Sequence, residues 1–168
     1  MAIFEPIIEA LESNEVRYVV VGGFAVVLHG HARLTADIDL VLDLDTEEAR
    51  KAIEVLTASG LRPTAPVDPL GFADQHVREA WRDEKGMVVF SLRDPADPLR
   101  IVDLFVDNPI EFERLRERSE ILDLGSTTVR VASIEDLIEM KRMAGRTQDL
   151  EDIEALRAIL ERRRTDEG

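Results

Sequence analysis

The chain has 168 residues, 45% of them hydrophobic and 33% charged, with 35 acidic against 21 basic side chains and a net charge of −14. That length suits one domain with a sizeable core, and the charge excludes broad electrostatic attachment to nucleic acid except where basic residues cluster locally. The absence of cysteine excludes disulfides and thiolate metal sites, no apolar run is long enough to span a bilayer, and no secretory leader is visible, so a cytoplasmic protein without membrane contact is expected.

Phe4 to Ser13 carries Ile7, Ile8 and Leu11 on one helical stripe, with Pro6 suited to a first turn. Arg17 to Val21 is nearly all apolar and reads as a central strand. Gly23 to Leu28 follows as a short helix stopped by Gly30; His31 to Ala36 is a loop, and Asp37 to Leu42 a second strand. His29 and His31 read as loop or helix-end residues rather than zinc ligands, since two histidines alone make no zinc site. Thr46 is placed to cap a helix running to Ser59, with Glu47 and Glu48 in its first turn and Gly60 ending it.

Arg62 to Gly71 holds three prolines and reads as loop, and the piece from Asp74 to Trp81 as helix. Trp81, the one tryptophan, is either a core residue or a platform for a base. Met87 to Leu92 and Arg100 to Val106 read as strands joined by the turn residues Asp94 to Pro98; Pro109 is placed to start a short helix. Ile121 to Leu124 and Thr128 to Val131 form a hairpin around Gly125 and Ser126. Ser133 with Asp136 has capping-box spacing and opens a helix to Ala144. Thr147 is placed to cap the last helix, whose stripe is Leu150, Ile153, Leu156 and Ile159.

The chemistry concentrates around two glycines and three aspartates. Asp37 and Asp39 stand at i and i+2 of a strand, so their side chains point the same way, beside the turn at Gly22 and Gly23. Two carboxylates on one face repel unless a cation lies between them. Mg²⁺ suits this pattern because it takes one or two carboxylates together with substrate phosphates. Glycines let a backbone approach phosphate oxygens, and the helix behind them points free N–H groups at an anion. Asp103 interrupts the apolar run Leu99 to Val106, where an aspartate is a poor strand residue and costly to bury unpaired. The plain alternative is that Asp37 and Asp39 only end a strand and Asp103 is salt-bridged.

This order of parts resembles the nucleotidyltransferase superfamily that includes DNA polymerase β: an apolar residue, two small glycine-like positions, a spacer, Asp-apolar-Asp, and a third carboxylate on a later strand. The resemblance covers the first two thirds of the chain. It implies an α/β fold with a mixed, twisted sheet flanked by helices and a short helical C-terminal extension. It implies an enzyme that transfers a nucleoside monophosphate from a triphosphate to a hydroxyl. Two Mg²⁺ ions would be held by Asp37, Asp39 and Asp103, the last also helping to deprotonate the acceptor, and Gly22 and Gly23 would cradle the β and γ phosphates. Arg33 is expected at phosphate or nucleobase, or as a solvated loop arginine; Thr35 is expected to donate to a phosphate or to start the strand.

The stretch Ser133 to Ile153 is similar to the C-terminal region of AbiEii-type and minimal nucleotidyltransferases, with a lysine on an apolar helix, an arginine, and an aspartate-rich helix start. In that resemblance Lys141 reaches the triphosphate; the alternative is a salt-bridge network of Lys141, Arg146, Asp149 and Asp152. The corresponding division is a core over residues 1–132 and a helical extension over 133–168 packed on it as one compact domain. The resemblance implies first a toxin–antitoxin-associated protein with a cognate toxin or antitoxin as partner, its acceptor a protein hydroxyl, a small molecule or an RNA end; the alternative is an aminoglycoside or lincosamide nucleotidyltransferase. The rival reading is a catalytically silent binding module of the same fold. The acidic surface argues against an extended nucleic-acid footprint.

Overall fold

The run Tyr18–Val21 (β1) is buried at every residue, and it takes a place where both faces are covered. The computed structural model describes residues 2–168. In it β1 is antiparallel to β2 (Ile38–Leu42), which is parallel to β5 (Asp97–Phe105). β5 forms a hairpin with β4 (Val89–Asp94), and the two-residue β3 (Arg62–Pro63) closes that edge. On the other side of β1 lie β7 (Thr128–Val131), parallel to it, and then β6 (Glu120–Asp123), giving one mixed sheet in the order β3-β4-β5-β2-β1-β7-β6.

The helices are α1 (Glu5–Ser13), α2 (Gly22–Leu28), α3 (Thr46–Ala58), α4 (Gln75–Lys85), α5 (Phe112–Arg118), α6 (Ile134–Ala144) and α7 (Thr147–Asp166). α1 buries Ile7, Ile8 and Leu11, the expected stripe. α2 follows β1 without a linker, α6 packs on α2, and α6 and α7 form a hairpin. The mixed α/β architecture is the one expected, and among the described residues no helix is long and apolar enough to cross a membrane.

Several local expectations are corrected. α3 is capped by Asp45, whose carboxylate accepts from the Glu48 N–H, so Thr46 is already the first helical residue. Pro109 precedes rather than starts α5, which opens at Phe112 where Phe112 and Leu115 turn inward. α7 begins behind Arg146, and Leu150 is exposed while the aspartates at 149 and 152 are buried. The segment 62–73 holds β3 and a 3₁₀ turn at Pro69–Ala73 instead of plain loop. Phe72 from that turn and Trp81 from α4 both stack on Phe90, at 5.7 and 5.0 Å between ring centres. Burial of such a ring contributes about 1.5–3 kcal/mol, so Trp81 is a core residue and not a base platform.

Candidate active site

Strand register assembles the aspartates. Asp39 stands opposite Val21 on β1 and Asp103 on β5, and residues paired across a sheet share a face. Asp37 lies one residue before β2 rather than in it, yet one ligand oxygen each from Asp37, Asp39 and Asp103 lie within 4.8 Å of one another. Each is held by a different device. Gly22, at φ +71°, packs so closely that a Cβ there would stand 2.0 Å from Asp39 Oδ2, so only glycine fits. The Thr35 hydroxyl donates to the Asp37 carbonyl at 3.1 Å, and the Ser91 hydroxyl donates to Asp103 Oδ1 at 2.5 Å.

None of the three carboxylates has an ion-pair partner among the described residues. Burial, and then the charges of Asp37 and Asp103, push Asp39 up to about 7. Burial likewise lifts Asp103 to about 6; the Ser91 hydrogen bond opposes that rise and the neighbouring Asp37 adds to it. Three converging, uncompensated carboxylates are a hard oxygen donor set that fits Mg²⁺. Among the described residues they form the one such His, Cys, Asp or Glu group. His29 is not available to a metal: its Nε2 donates to the Ala132 carbonyl at 2.8 Å and its Nδ1 accepts from Arg163.

The basic residues gather at the other end of the same cleft, whose volume is about 600 Å³. The Lys141 ammonium is 2.8 Å from Asp152 and 3.7 Å from Asp149. Arg33 also pairs with Asp152, and Arg146 pairs with Asp149 at 2.9 Å. Arg33 lies over the glycine turn, because a Cβ on Gly23 would be 3.1 Å from its Nη1. The salt-bridge network weighed as an alternative is therefore formed, and Arg33 belongs to it instead of being a solvated loop residue. Lys141, Arg33 and Arg146 nevertheless line the cleft together with Gly22, Gly23 and Thr35.

Two features have no counterpart in the reading of the sequence. Val88, Val89 and Phe105 form an apolar wall next to Asp103, and Ser91 meets Asp103 across the β4–β5 pair. The alternating burial of β4, with Phe90 and Leu92 in and Val89 and Ser91 toward the cleft, is the signal that marks them.

No curated protein matches the chain by sequence. Among solved structures it is similar to the lincosamide antibiotic adenylyltransferase LnuA in its lincomycin-bound form, with TM-score 0.62, 18% identity, and coverage of 94% of this chain and 96% of that one. It is similar to ANT(2″)-Ia in complex with adenylyl-2″-tobramycin, with TM-score 0.60, 16% identity, and coverage of 95% and 88%. It is also similar to an antigenic nucleotidyltransferase-like protein from Paracoccidioides brasiliensis, with TM-score 0.60, 18% identity, and coverage of 92% and 73%. At such identities the likeness is one of fold. Residues 1–162 match the family described as nucleotidyltransferase of unknown function (DUF6036), and with that span covering nearly the whole chain the protein belongs to this nucleotidyltransferase family.

Proposed function

We propose that this protein catalyses Mg²⁺-dependent transfer of a nucleoside monophosphate from a nucleoside triphosphate to a hydroxyl group of a small-molecule acceptor. The observation that carries the reading is the convergence of Asp37, Asp39 and Asp103, without a cationic partner, beside the Gly22–Gly23 turn. Asp37, Asp39 and Asp103 would hold divalent cations, which would neutralise the triphosphate and polarise the reacting oxygens. Gly22 and Gly23 bring backbone N–H groups to the phosphates. Arg33, Thr35 and Lys141 line the phosphate side, and the two basic side chains there balance charge on the leaving pyrophosphate. The acceptor oxygen forms its bond to the α-phosphorus as the bond from that phosphorus to the bridging oxygen of the β-phosphate breaks. Asp103 takes the acceptor proton. Positioning and electrostatics supply the acceleration, with no covalent intermediate.

The sheet order supports the direction of approach. From β4 through β5 and β2 to α2 and α6, the cleft runs from apolar wall to carboxylates to glycine turn to basic side chains. A triphosphate needs the cationic end, which leaves the acceptor the wall of Val88, Val89 and Phe105. Among the described residues the cleft lining at that end is Val88, Val89 and Phe105, with no basic side chain in it, and the similar structures holding lincomycin and adenylyl-tobramycin favour a small acceptor. Incubation of the protein with α-labelled ATP, GTP, CTP and UTP and a fractionated cell extract tests this. Label is expected in one low-molecular-weight product, and EDTA is expected to abolish it. Label on a protein would favour the toxin–antitoxin reading, label on RNA an end-modifying one, and no label under any condition a binding module.

A further inference from the structure

Ser91 is a polar side chain that β4 turns toward Asp103. It sits opposite Asp103 in the β4–β5 register, between the buried Phe90 and Leu92, and its hydroxyl donates to Asp103 Oδ1 at 2.5 Å. Asp103 is only 9% exposed. A serine has no intrinsic advantage in a strand, and a valine or threonine would suit the position better by packing alone. The hydroxyl does have a distinct effect on Asp103: it donates to one oxygen and restrains the rotation of the carboxylate, whose other close side-chain neighbour is the acidic Asp37 and not a second hydroxyl or cation.

We propose that Ser91 is a positioning residue for Asp103, orienting its carboxylate so that the other oxygen is presented to the divalent cation shared with Asp37 and Asp39. The inference rests on the nucleotidyltransferase reading above. The three carboxylates differ in what fixes them. Asp39 is wedged against Gly22, and Asp37 follows a backbone held by Thr35. Asp103 is the one of the three whose carboxylate itself accepts from a side-chain hydroxyl among the described residues; the Thr35 hydroxyl reaches the Asp37 backbone carbonyl instead. Removing a group that orients a metal ligand lowers metal affinity even though the ligand itself remains.

The test is direct binding of Mn²⁺, followed by electron paramagnetic resonance of the free ion, in the presence of a non-hydrolysable nucleoside triphosphate. Ser91→Thr and Ser91→Val have nearly the same shape and differ in the hydroxyl. Ser91→Val and Ser91→Ala are expected to bind Mn²⁺ about tenfold more weakly than wild type, with Ser91→Thr close to wild type. Melting temperatures without metal separate this from a packing role, which would move stability and leave the affinity of the folded protein intact. Asp39→Asn is the control and is expected to lose Mn²⁺ altogether. Wild-type affinity in Ser91→Val alongside loss in Asp39→Asn overturns the role of Ser91 and leaves the metal site standing. That role is overturned equally if Ser91→Thr is as weak as Ser91→Val. Equal binding by wild type and Asp39→Asn removes the metal site itself, and this proposal with it.

Discussion

Asp149 and Asp152 on α7 are more deeply buried than Asp37, Asp39 and Asp103 at the sheet, yet it is Asp39 and Asp103 whose anionic form is disfavoured. Burial alone would raise Asp149, but the Arg146 side chain and backbone N–H, with Lys141 behind them, hold it below the ordinary carboxylate range. Asp152 is wholly buried and shared by Lys141 and Arg33. The sheet aspartates have like-charged neighbours instead, and Asp39 and Asp103 are raised. Burial penalises both groups in the same direction; what differs is whether the chain supplies the counter-charge. On α7 it does, and the group closes on itself as structure. On the sheet no side chain among the described residues pairs with the carboxylates, and only the more distant charges of Lys141 and Arg146 oppose the rise of Asp39.

The contrast breaks most sharply at single substitutions. Asp39→Asn should lower the labelled-transfer rate by about a thousandfold, since metal-borne charge stabilisation is worth several kcal/mol, while the metal-free melting temperature stays level or rises because a repulsive charge is gone. Asp152→Ala should do the reverse to the fold. Removing one partner of a buried pair costs about 3–5 kcal/mol, which for a chain of this size is a fall in melting temperature of about 10 °C. Scanning calorimetry and the transfer assay check the pair. A stable Asp152→Ala or a fully active Asp39→Asn would show that the two groups are not divided as described.

A pH series sharpens the same division. Asp39 moves from 3.8 in a free chain to about 7 in the fold, and Asp103 from 3.8 to about 6. Between those limits the native state holds more protons than the unfolded state, so metal-free stability falls as pH rises from about 4 to about 7 and levels off above. Relaxation and residual solvent leave an effect of about 1–3 kcal/mol. Asp149, with its lowered value, contributes in the opposite sense: its stabilisation is present above the ordinary carboxylate range and is lost as pH falls through its own depressed pKa. Urea melts from pH 4.5 to 8 should show the decline in wild type and a shallower one in Asp39→Asn. Mg²⁺ should restore stability more at pH 8 than at pH 5. A flat wild-type profile would mean the sheet carboxylates are not strained by their neighbours.

The parts legible in the sequence were those fixed by local pattern. The β1–α2 glycines, the Asp37–Asp39 spacing and the interruption of an apolar strand by Asp103 are each visible within a few residues; strand period orients Asp39, while Asp37, one residue before β2, is brought beside it by a backbone that Thr35 holds. Ser91 was not legible because its partner depends on register. A hairpin closed at Asp94 opposite Asp97 would, with regular pairing, set Ser91 opposite Arg100; the irregularity between Arg93 and Asp94 shifts it to Asp103. No local propensity encodes that shift. The pairing of Arg33 was hidden for a related reason: its partner Asp152 is 119 residues away, on a helix that packs with α6. Trp81 stayed open until the contact with Phe90 supplied its surroundings.

The smallest effect should come from Arg146, and it tests whether the α7 group is held by its buried members or by its exposed one. The Arg146 side chain is 76% exposed while that of Asp149 is 2% exposed. In Arg146→Ala, Asp149 keeps two partners: the backbone N–H of residue 146, which stands at 3.0 Å in wild type, and the Lys141 ammonium at 3.7 Å. Only a solvated guanidinium is lost, and exposed pairs of that kind are worth about 0–1 kcal/mol. The expected fall in melting temperature is therefore no more than about 3 °C, and it should shrink further at high salt, where exposed charges are screened. Lys141→Ala provides the contrast: it takes the ammonium away from Asp152 and removes a cation from the phosphate side, so it should lower both stability and triphosphate affinity. If Arg146→Ala instead matches Lys141→Ala in both measurements, the exposed arginine and not the buried lysine anchors the cationic end of the cleft.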